Sequence, residues 1–146
     1  MVGKSQEIRR GPIMPAASAT ALARYCPDLE QWPERWRCDA HDIASGQRIV
    51  EFFKPFLLHL LVQRLAANTL YRHRDHLWLV GGELIRRRHE DAALEKRPVD
   101  KAIADLIEED GGPFIWPRTT EARQDAFDVT CRKLSQFLNS AEKPVR

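Results

Sequence analysis

The chain has 146 residues, 43% hydrophobic and 30% charged, with a formal net charge of +2. That length supports one domain able to bury roughly two-thirds of its unfolded surface, and the composition sits in the globular range rather than the disordered one. So small a net charge does not by itself imply a polyanion partner, and three cysteines (Cys26, Cys38, Cys131) without a signal-like or long uncharged apolar run point to a reduced, cytoplasmic protein with no membrane span.

Residues 1–18 mix Gly, Pro, Ala and Ser with scattered charges and read as a flexible tail. A short helix is predicted over 19–25, stopped near Cys26 and Pro27. Residues 29–42 carry Trp32, Pro33 and Trp36 in an irregular or one-turn segment, and two indoles there suggest a lid packed on the core. Asp42 or Ser45 is placed to cap the next helix, in which Ile49, Phe52, Phe53, Phe56, Leu57, Leu60 and Leu61 recur at three- and four-residue spacing. Pro55 interrupts that run, and an interior proline removes a backbone hydrogen bond, which predicts a kink near 52–54 or two abutting helices.

Asn68 or Thr69 then opens the longest helix, with Leu70, His73, Leu77, Val80 and Leu84 on one stripe flanked by Trp78 and Ile85. Gly81 and Gly82 lie inside it. Each costs a helix on the order of 1 kcal/mol against alanine, so the pair predicts close approach by another element, or a break. Pro98 suits a first helical position, with Val99, Ile103, Leu106 and Ile107 on one face before Gly111 and Gly112 end the helix. Phe114, Ile115 and Trp116 between two prolines are expected to plug into the core. Thr119 or Thr120 caps a last helix that turns Phe127, Thr130 or Cys131, Leu134, Phe137 and Leu138 inward and frays after Asn139. The fold class is therefore all-α, a compact bundle of about five helices: a tail over 1–18, a single domain over 19–140 and a frayed end over 141–146.

The positive charge is concentrated mid-chain, where residues 62–97 hold eight basic and five acidic side chains and three of the five histidines. Arg72, His76, Arg86 and Arg87 project toward roughly one side of the long helix at about 100° per residue, away from the leucine stripe. Two readings stay open. One is contact with phosphate oxygens, which suit the guanidinium fork. The other is a solvated face, with Arg86, Arg87 and Arg88 favoured at a helix C-terminus and Asp75, Glu83 and Glu90 available to pair with their neighbours.

Other constellations are weaker. Cys38 and His41 have a spacing able to chelate zinc, but Cys26 lacks a close second ligand, so no metal site is expected. Glu108, Glu109 and Asp110 point about 100° apart on a helix and cannot converge on one ion unaided. His73, Arg74 and Asp75 spell the opening of a kinase catalytic loop, yet Val80 stands where its asparagine belongs. Cys131 reads as core packing rather than nucleophile.

The stretch from Phe53 to Arg74 joins an apolar helix, a Leu65-Ala66-Ala67-Asn68-Thr69 turn and a second helix that begins Leu70-Tyr71-Arg72 and passes Leu79-Val80-Gly81. It resembles the N-terminal SAM-like, core-binding domain of phage-integrase-type tyrosine recombinases, over about a quarter of the chain. That family carries serine where Ala66 stands, so here Asn68 or Thr69 must cap. The resemblance implies a helical clamp on the DNA backbone, with Thr69, Arg72 and Arg74 as phosphate contacts. The family's catalytic domain has no counterpart in this sequence: no His-x-x-Arg pair occurs, and the tyrosines are Tyr25 and Tyr71.

The sequence thus points to a small noncatalytic DNA-binding or DNA-associated accessory protein that contacts double-stranded DNA through Thr69, Arg72, Arg74, His76, Arg86 and Arg87. The alternative is an interaction adaptor or homodimeric regulator with no nucleic-acid contact. No catalytic residues, metal or cofactor are expected.

Overall fold

A computed structural model describes residues 16–107, 111–113 and 119–142. Among these, all the regular structure is helical. Five helices have eight residues or more: α1 (Ala16–Tyr25), α3 (Asp42–Val62), α4 (Ala67–Glu90), α6 (Val99–Leu106) and α7 (Glu121–Glu142). Two single turns, α2 (Trp32–Trp36) and α5 (Ala92–Lys96), and a 3-10 turn over Leu29–Gln31 complete the set. The all-α expectation holds; the described residues carry seven α-helices where about five were expected, two of them single turns. Phe114, Ile115 and Trp116, Glu108, Glu109 and Asp110, and most of the expected tail lie outside the described residues. The alanine-rich start of α1 turns helical at Ala16, three positions earlier than the predicted helix.

The core is an antiparallel hairpin of α3 and α4. Ile49, Phe53, Phe56, Leu57 and Leu60 from α3 meet Leu77, Val80, Leu84 and Ile85 from α4, all fully buried. The chain reverses between them in a short turn where Arg64 takes the left-handed backbone (φ 59°). α2 packs on α3, α6 lies against both helices of the hairpin, and α7 packs on α4, reaching α3 through Phe137, whose ring lies 5.4 Å from that of Phe56. Burial of these apolar side chains, at about 25 cal/mol per Å², is what holds the helices together.

The tryptophan lid is real. Trp32 and Trp36 are both buried, and α2 approaches so closely that a Cβ added at Gly46 would meet Pro33 at 2.8 Å and one at Gly81 would meet the Trp36 ring at 2.3 Å. Close approach, not a break, explains Gly81.

Four local expectations are corrected. Pro55 splits nothing: α3 runs unbroken through it, because Pro55 is exposed and water can take the hydrogen bond it forgoes. Neither Asp42 nor Ser45 caps α3; Asp42 instead turns its carboxylate back to the amides of Cys38 (2.7 Å) and Asp39 (3.1 Å). α4 begins at Ala67 without a side-chain cap from Asn68 or Thr69. The helix after Pro98 ends at Leu106, well short of the glycines, because Ile107 goes extended and buries its side chain. The Thr120 cap holds, its hydroxyl accepting from the Arg123 amide at 3.1 Å. Among the described residues no helix is long and apolar enough to cross a membrane.

Candidate functional site

α4 carries all six predicted DNA contacts, and the fold sends them to different surroundings. Thr69 is half-buried and Arg72 exposed. Arg74 folds back over the α1 end: Nη1 donates to the Tyr25 carbonyl at 3.1 Å, Nε to Asp75 at 3.0 Å, and the guanidinium lies 4.8 Å from the Tyr71 ring centre. His76 turns inward, bonded to Thr130 Oγ1 at 2.7 Å with its ring edge-on to Phe127. Arg86 and Arg87 both donate to Glu83 Oε2 at 2.6 Å, and Arg86 also reaches Glu90 at 3.2 Å. Burial works to raise the Glu83 carboxyl, but the two arginines outweigh it and hold it below the usual range. Of the expected basic side of α4, His76 is turned inward and the remaining cations fall into two groups. Arg72 and Arg86 are separated by about 21 Å of helix at 1.5 Å per residue, His76 belongs to the α7 seam, and Glu83 draws in the arginines at the far end.

At the α4–α7 seam a single hydroxyl joins two imidazoles. Thr130 Oγ1 lies 2.6 Å from His73 Nδ1 and 2.7 Å from His76 Nδ1, while buried His73 Nε2 has no partner among the described residues. An unpaired buried N–H costs more than an unpaired lone pair, so we assign the proton of His73 to Nδ1. Thr130 then accepts from His73 and donates to His76. Burial, with Lys133, His76 and Arg72 nearby, pushes His73 down to about 4, so it is neutral at physiological pH. Burial also lowers His76, against the pull of Asp75.

A second constellation forms where the start of α3 meets the end of α4. Asp39, His41, Asp42 and His89 bring one ligand atom each within 4.8 Å of one another. Buried Asp42 Oδ2 accepts from His89 Nε2 at 2.6 Å besides its two backbone amides. His41 turns Nδ1 to Asp39 and Nε2 to Glu95, 3.2 Å away, and to Asp42 Oδ1, 3.8 Å away. Burial would raise the Asp42 carboxyl, but the His89 bond and the two amides bring it below its ordinary value, and the same bond raises His89. These residues, with Ser45, Arg88 and Glu95, line a cavity of about 220 Å³. Ser45 Oγ faces Arg88 at 3.4 Å rather than an imidazole, so the corner holds no Ser-His-Asp relay.

Sequence reasoning flagged His41 through its spacing from Cys38 but missed its partners. The available signal was topological: in an antiparallel helix pair, residues before the first helix meet residues at the end of the second. Cys38 is exposed, while Cys26 and Cys131 are buried thiols, each pushed up to about 12 mainly by burial, so neither supplies a thiolate at neutral pH. No protein-family model, curated protein or solved structure matches this chain.

Proposed function

We propose that this chain is a small noncatalytic DNA-associated accessory protein that meets the phosphate backbone at the Arg72 end of α4. The observation that carries this reading is positive charge from two helices at one seam: exposed Arg72 of α4 and half-buried Lys133 of α7 both act to keep the buried His73 imidazole neutral. The nearest acid on α4, Asp75, pairs with Arg74 instead. Cations presented by two helices at one seam suit the phosphate oxygens of a duplex backbone. The resemblance of 53–74 to the recombinase clamp supports the same end of the helix. Fluorescence anisotropy with a labelled duplex at low ionic strength tests the reading. Arg72→Ala with Lys133→Ala should weaken binding and reduce the logarithmic salt slope by about 2, whereas Arg86→Ala with Arg87→Ala should change little. Absence of salt-sensitive binding by the wild-type chain sinks the proposal.

One observation favours a protein partner instead. Tyr71 and Trp78, seven residues apart on α4, are 48% and 38% exposed. Trp78 also edges a cleft lined by Pro27, Trp32, Arg35 and Arg74. In this second reading the chain is an adaptor or homodimer joined through that stripe. Light scattering decides the homodimer form: a dimer that Trp78→Glu converts to monomer supports it, and a monomeric wild type removes it.

A further inference from the structure

We propose that Asp39, His41, Asp42 and His89 form a binding site for a divalent transition metal of the zinc class, clasping the turn before α3 to the end of α4. Two imidazoles and two carboxylates are a donor set that zinc and its neighbours accept. The residues come from two places far apart in sequence that the hairpin brings to one cavity, and their donor atoms already lie within 4.8 Å of one another. Donors around tetrahedral zinc stand about 3.3 Å apart, so the set must draw in by roughly an ångström or more. Asp39, His41 and His89 are exposed and able to make that movement. The two imidazole centroids are 5.6 Å apart; two histidines on one tetrahedral ion, each nitrogen about 2.0–2.1 Å from it, place their centroids about 5 Å apart.

The charge of the corner argues for a cation. Asp39, Asp42 and Glu95 line it with Arg88. With neutral imidazoles this leaves an excess of two negative charges, which a divalent ion matches. Arg88 lowers the excess at a distance but does not itself occupy the carboxylates, because its guanidinium donates to the carbonyls of Leu94, Glu95 and Arg97. Asp42 is already held by the amides of Cys38 and Asp39 through one oxygen, leaving Oδ1 turned toward His41. Held carboxylates of this kind orient a ligand in advance of the ion.

The test uses the full chain, stripped with a chelator and titrated with zinc chloride by isothermal calorimetry, with thermal unfolding alongside. One ion per chain and a Tm that rises with free zinc are expected. His41→Ala and His89→Ala should each weaken binding by about tenfold or more, and Cys38→Ser should leave it unchanged. The cobalt adduct should lack thiolate charge-transfer absorption. His41 is exposed, so its variant should keep the wild-type circular dichroism and decides the matter if His89→Ala unfolds. The proposal is overturned by a folded wild type that binds no zinc, by zinc affinity unchanged in His41→Ala, or by binding that requires Cys38.

Discussion

The Trp36 indole fills the space that a side chain on Gly81 would occupy. A Cβ built on Gly81 stands 2.3 Å from Cζ2 of that ring, and the indole N–H donates to the Trp78 carbonyl at 3.0 Å. Gly81→Ala should therefore destabilise the chain by about 1–3 kcal/mol, even though alanine favours the helix. Gly82, whose added Cβ would come no closer than 3.3 Å to Trp36, is the matched control. Urea unfolding of the two variants checks this, and equal stabilities would mean that the ring moves aside freely.

Acid should loosen the α4–α7 seam. The unfolded chain protonates His73 near 6.5, but the folded one resists until about 4. Between those values only the unfolded state takes up the proton, so stability present above pH 6.5 is lost as pH falls, by up to about 3 kcal/mol. His73→Leu should flatten that part of the profile. Wild-type and variant unfolding free energies that fall in parallel from neutral pH to 4 would remove His73 as the cause.

Glu83→Gln addresses the far end of the same helix. The buried carboxylate accepts from both Arg86 and Arg87, and weakening those bonds should lower stability by about 1–2 kcal/mol. Duplex affinity should stay within about twofold at moderate salt, because the Arg72 end lies beyond the Debye length of about 10 Å. A several-fold gain in affinity would instead move the DNA surface to the arginines at the helix end.

Pro55→Ala should stabilise α3. The exposed proline forgoes one backbone bond and costs a helix about 3 kcal/mol relative to alanine, while alanine returns about 1 kcal/mol of chain entropy to the unfolded state. A net gain of about 1–2 kcal/mol in urea unfolding is expected. A loss would show that the ring supports a packing the exposed site does not suggest.

Apolar spacing carried the long elements well: Phe53, Phe56, Leu57 and Leu60, and Leu77, Val80 and Leu84, fall where their periodicity predicts. Short elements left no such trace. α5 buries no residue and is marked by little more than Asp91, whose carboxylate accepts from the amides of Ala93 and Leu94. The site was half legible. Arg72 is solvent-facing as expected, but His76 lies within the angular spread of the basic face and still packs against α7, since a helix wheel does not say which neighbour stands beside it. His89 and Asp42 are 47 positions apart, so only the hairpin topology joins them.

Arg88 has a kinetic consequence. One guanidinium gathers the carbonyls of Leu94, Glu95 and Arg97, while the segment it holds contributes nothing fully buried. Such a segment opens as a small cooperative unit without waiting for global unfolding. Its amides should exchange with deuterium far sooner than those of Leu77 or Val80, and sooner still once that guanidinium is gone. The end of α4 thus carries a hinged flap, restrained by that guanidinium together with the Arg97–Asp105 pair.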